Sequence, residues 1–84
     1  MENDNHFSTS DLGLASFLLA SGLPLVGLQW QDEVRAEFLF RNPEKAEALT
    51  AAYWSGDGEI SGLRFKVALD ELKRRLWRER GRSR

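Results

Sequence analysis

Val34-Arg35-Ala36-Glu37-Phe38-Leu39-Phe40 sets Val34, Ala36, Phe38 and Phe40 on one side of an extended chain, with Arg35, Glu37 and Arg41 on the other. A period of two with one apolar side describes a strand covered on a single face. Just upstream, Leu25-Val26-Gly27-Leu28-Gln29-Trp30 is a second apolar run. The polar Gln31-Asp32-Glu33 between the two reads as a turn. The pair therefore predicts an antiparallel hairpin.

Working outward, the hairpin is flanked by helical patterns. Ser8, Thr9 and Ser10 offer hydroxyl caps for a first helix, Asp11 suits its positive end, and Gly22 with Pro24 stops it. Residues 1–7 read as a flexible polar tail, with Phe7 available as a staple onto that helix. Leu12, Ala15 and Leu19 form one stripe of the helix, and Leu14, Phe17 and Leu18 another, so it has almost no polar side. Such a helix must be enclosed. In so small a chain, self-association through Leu14, Phe17 and Leu18 is one way to enclose it. After the hairpin, Asn42 as cap, Pro43 at the first position and Glu44 in the first turn open a second helix. Ser55-Gly56-Asp57-Gly58 ends it, and Ser61 caps a third helix to about Arg78, with Phe65, Ala68, Leu69, Leu72 and Leu76 on its inner face. The predicted fold is α+β, ordered α-β-β-α-α, with a two-stranded antiparallel hairpin packed on three helices. One domain spans residues 8–78, followed by a basic tail at 79–84.

Eighty-four residues make one domain with a thin core. With 42% hydrophobic and 30% charged residues, the composition is that of a folding chain. The absence of cysteine excludes disulfides and thiolate chemistry and fits a cytoplasmic setting. The stretch from Leu12 to Val26 is interrupted by Ser16, Ser21, Gly22 and Pro24 and is too short to span a bilayer, and Glu2 and Asp4 do not suit a secretory leader.

Enzymatic patterns are missing. His6, the only histidine, falls in the expected tail, and Ser8, Thr9 and Ser10 have no base or nucleophile elbow nearby in sequence. Gly56-Asp57-Gly58-Glu59 lacks the ligand series of a calcium loop and the lysine of a phosphate loop. No catalytic residue, metal or cofactor is expected.

Charge is the strongest signal. Residues 1–63 hold three basic and ten acidic side chains, whereas residues 64–84 hold nine basic and three acidic. A basic helix and tail of this kind attract phosphate-rich polymers. Lys73, Arg74, Arg78, Arg80, Arg82 and Arg84 are the candidate contacts to DNA or RNA. Trp77 stands among them, where it can stack on a base or pack against neighbouring cations. Spacing also predicts helix pairs from Asp70 to Arg74 and from Glu71 to Arg75, which would neutralise part of the cluster. Trp30 and Trp54, at element ends, either seal core edges or form an exposed contact patch, and sealing is the favoured expectation. Leu63 and Val67 lie off the inner stripe and, with the first helix, suggest a homodimer or partner interface.

Thr9-Ser10-Asp11-Leu12, Gly22-Leu23-Pro24-Leu25-Val26-Gly27, Phe38-Leu39-Phe40, Tyr53-Trp54 and Ala68-Leu69-Asp70-Glu71-Leu72-Lys73 resemble a family of small bacterial and phage domains of unknown function. The resemblance covers residues 8 to about 77 and implies association with mobile elements, without assigning an activity or a ligand residue. Two readings follow. One is a small non-enzymatic accessory protein that binds nucleic acid non-specifically through its basic end. The other is a protein-protein module, an inhibitor or adaptor, acting on a host or phage protein.

Overall fold

The computed structural model describes residues 6–82. Its elements are β1 (His6–Thr9), α1 (Leu12–Ala20), β2 (Leu25–Trp30), β3 (Ala36–Arg41), α2 (Pro43–Ser55) and α3 (Gly62–Arg82). The architecture is α+β, as the patterning predicts, but the sheet has three strands in the order β1-β3-β2, all antiparallel. The hairpin strand β3 has two edges, and β2 satisfies only one. Residues 6–9 pair with the other, setting Phe7 opposite Phe40 and Thr9 opposite Phe38. His6 and Phe7, expected in a tail, are thus strand residues, and Phe7 packs on the core from the sheet. Residues 1–5 of the expected tail lie outside the described residues.

β2 and β3 are joined with an irregularity that alternation alone does not reveal. Leu25 pairs with Phe40, but Gly27, not Val26, pairs with Leu39, so one extra residue is inserted. A bulge of this kind resets the pleat. Without it, Leu25 and Leu28 would face opposite sides of the sheet; with it, both pack on the core. Val34, expected on the inner face of the strand, precedes β3 and is 65% exposed. Asp32 accepts hydrogen bonds from the backbone N–H groups of Val34 (2.9 Å) and Arg35 (2.8 Å), which holds both residues in the turn.

Helix α1 lies at the centre. It packs on β1, α2 and, most extensively, α3, and Leu14, Ala15, Ser16, Phe17, Leu18 and Ala20 are all buried. The chain therefore encloses its apolar helix by itself. Leu14, Phe17 and Leu18 belong to the core and are not surface available to a second subunit. Ser16, the one buried polar side chain among the described residues, donates its hydroxyl to the Leu12 carbonyl at 2.8 Å.

Caps define the helix ends. Asp11, not the preceding hydroxyl residues, caps α1 by accepting from the Leu14 N–H at 3.0 Å, while the Thr9 hydroxyl accepts from the Asp11 N–H. Gly22 (φ 96°) and Gly56 (φ 84°) adopt the left-handed conformation that closes α1 and α2. The Leu23 N–H then reaches back to the Leu18 carbonyl, and the Asp57 N–H to that of Ala52. Ser61 caps α3 as expected, accepting from the Arg64 N–H at 3.1 Å. α3 continues to Arg82, so residues 79–82 are helical and not a tail.

Phe40 is fully buried in the central strand. Phe40→Ala is expected to lower the unfolding free energy by about 3–5 kcal/mol in chemical denaturation. Glu47→Ala, on the exposed side of α2, should change it by about 0.5 kcal/mol or less.

Candidate nucleic-acid interface

The core-facing stripe of α3, with Ala68 and Leu72 buried and Phe65 and Leu76 packed on the core, fixes which side chains turn outward. Lys73, Trp77 and Arg80, spaced four and three apart, share one flank. Arg74 and Arg78, four apart, follow the outermost ridge. All five are exposed, and Trp77 retains 74% of its surface in solvent. The structure therefore brings Lys73, Arg74, Trp77, Arg78 and Arg80 onto one continuous surface. Arg82 is the last helical residue, and Arg84 lies outside the described residues.

Local ion pairing differs from the spacing-based expectation. Asp70 is held by Lys66 at 3.0 Å, Glu71 by Arg74 at 3.4 Å, and Arg75 pairs with Glu79 at 3.4 Å. Arg75 and Glu79 both lie half-buried on the flank nearest the body of the fold, so Arg75 turns to that acid and leaves Glu71 to Arg74. The hydrogen bond from Lys66 lowers the Asp70 pKa below its ordinary value, aided by the charges of Lys73 and Arg74. Lys73 and Arg78 have no acidic partner among the described residues.

The tip of the β2-β3 hairpin reaches this part of α3. Trp30 and Val34 from the hairpin and Lys73, Leu76, Trp77 and Arg80 from the helix line a cleft of about 180 Å³. That is smaller than the pockets that enclose small organic ligands. A flat group lying in its open mouth is a better match than an engulfed one. The Trp30 indole Nε1 is buried behind the cleft and has no acceptor among the described residues. Trp30 and Val34 were not expected at this surface, because no local pattern shows that the hairpin tip meets the second half of α3.

The remaining candidates separate. Leu63 and Val67 are 72% and 58% exposed near the start of α3, on a different flank from the cleft. Trp54 is not a core-edge seal. It stands exposed at the end of α2, edge-on to Tyr53 with ring centroids 4.9 Å apart, and Tyr53 in turn meets Phe17. Among the described residues no cluster of acidic or histidine side chains could hold a metal ion, and no helix is long and apolar enough to cross a membrane.

No family model, curated protein or solved structure matches the chain. The site must therefore be read from its own chemistry.

The cleft's outer wall depends on Asp32. Its bonds from the Val34 and Arg35 N–H groups, assisted by the Arg35 charge, lower its pKa below the ordinary carboxylate value. A depressed folded-state pKa means that its contribution is complete above the unfolded value and is lost as pH falls through the folded one. Acidification into that range should lower the protection factors of the Val34 and Arg35 amides, their exchange rates being taken relative to the intrinsic rate at each pH. Asp32→Asn should abolish this pH dependence.

Proposed function

We propose that this protein is a small non-enzymatic binder of single-stranded nucleic acid, which it contacts through the second half of α3. The observation that carries the reading is Trp77. A tryptophan left 74% exposed among Lys73, Arg74, Arg78 and Arg80 presents a stacking face inside a field of phosphate-binding charge. The indole stands outside the hydrophobic core. Stacking requires splayed bases, which favours single strands over duplex.

Each side chain has a defined task. Trp77 stacks on one base, with Val34 across the cleft offering an apolar edge. Lys73 and Arg78, unpaired with acids, neutralise backbone phosphates, and Arg74 exchanges its exposed pair with Glu71 for a phosphate at little cost because exposed ion pairs are weak. No side chain in the set is arranged to read base edges, so binding is tolerant of sequence. The sequence resemblance supports a phage or mobile-element setting.

The test is fluorescence-anisotropy titration of a single-stranded oligonucleotide across a salt series. Trp77→Ala should weaken binding by about 1–3 kcal/mol. Replacing Lys73 and Arg78 with Gln should reduce the salt slope by about 1.4, at 0.7 per lost phosphate contact. All three positions are exposed, so folding is retained. Unchanged affinity and slope in these variants would exclude the reading.

A further inference from the structure

The other end of α3 carries a surface that nucleic-acid binding leaves unexplained. Leu63, Arg64, Val67, Ala68 and Glu71 form one wall of an apolar groove of about 400 Å³, and Leu19 and Ala20 at the end of α1 form the other. Leu63 and Val67 project from it almost uncovered. Two such side chains one helical turn apart, beside a groove of matching apolar character, make a patch that water covers poorly.

The groove has a charge order along its length. Arg64 stands at one end and Glu71 at the other, seven residues or about 10 Å apart along the helix, with Val67 between them. Arg64 has no ion-pair partner among the described residues, while Glu71 holds only the exposed Arg74. Reversing the helix direction about Val67 exchanges the two ends. A surface that becomes complementary to itself on reversal fits a two-fold partner of the same sequence.

From this charge complementarity we infer that a second copy of the chain occupies the groove, with the two α3 helices antiparallel. Val67 of each copy lies near the two-fold axis and Leu63 enters the other's groove. Arg64 of each copy faces Glu71 of the other, giving two symmetric ion pairs that fix the register. The overlap runs over the first half of α3, so the second half of each helix extends beyond its partner. The cleft, on the other flank, stays open in both copies. The patch is small, which places the dimer at the weak end of specific interfaces.

Sedimentation velocity at about 0.1 mM chain, well above a micromolar dissociation constant, reads this directly. The unaltered protein should sediment as a dimer and Leu63→Asp as a monomer, with unchanged circular dichroism. Arg64→Glu and Glu71→Arg should each raise the dissociation constant about tenfold or more by setting like charges opposite one another, and the double exchange should recover the dimer. A monomeric unaltered protein, or a double exchange no better than the single changes, would overturn the inference. Because Leu63 lies away from Trp77, Leu63→Asp should still bind oligonucleotide at each single site. Failure of dimerisation is thereby separable from failure of nucleic-acid binding.

Discussion

The fold depends on one constraint: α1 has no polar side and must be covered all round. Ala15 and Leu18, on different stripes of that helix, are both completely buried. A sheet alone covers one side of a helix, and a single neighbouring helix covers another. Enclosure therefore requires the whole chain, with β1, α2 and α3 each packed on α1. The buried hydroxyl of Ser16 is tolerated at the centre because it bonds within its own helix.

This arrangement determines what α3 can do. Its contact with α1 centres on a stripe around Ala68 and Leu72, which leaves Lys73, Arg74, Trp77, Arg78 and Arg80 exposed. The basic second half of α3 meets the body of the fold at the β2-β3 hairpin tip, where Trp30 and Val34 face Lys73, Trp77 and Arg80. Local pairing withdraws some of that positive charge. Lys66, Arg74 and Arg75 each face an acid within the helix, whereas Lys73 and Arg78 have none among the described residues, and the exposed indole sits beside them.

Much of this was legible in the sequence for local reasons. Asn42, Pro43 and Ser61 are capping residues whose effect is confined to one helical turn, and Phe38 and Phe40 alternate cleanly, so these elements were readable. The strand β1 was not, since four residues in a polar context carry little periodic signal and their pairing with β3 is a long-range event. The bulge at Val26 was hidden for a related reason: it appears only when Leu25 and Leu28 must share one face. At the candidate site, Lys73, Arg74, Trp77, Arg78 and Arg80 were recognisable from composition and spacing. Their partners across the cleft, Trp30 and Val34, depended on where the hairpin tip docks. Conversely, the apolar character of Leu14, Phe17 and Leu18 looked like an unsatisfied surface because sequence does not show that α3 and the sheet close over it.

The central claim is that the flank of α3 facing the hairpin tip receives an unstacked base. The three tryptophans give three indole N–H signals in a proton–nitrogen correlation spectrum, at Trp30, Trp54 and Trp77, which report on the cleft wall, a surface outside the cleft and the stacking face respectively. Adding a short single-stranded oligonucleotide should shift the Trp77 and Trp30 signals together while leaving Trp54 in place. A spectrum in which Trp77 and Trp30 do not move, or in which Trp54 alone responds, would contradict the account.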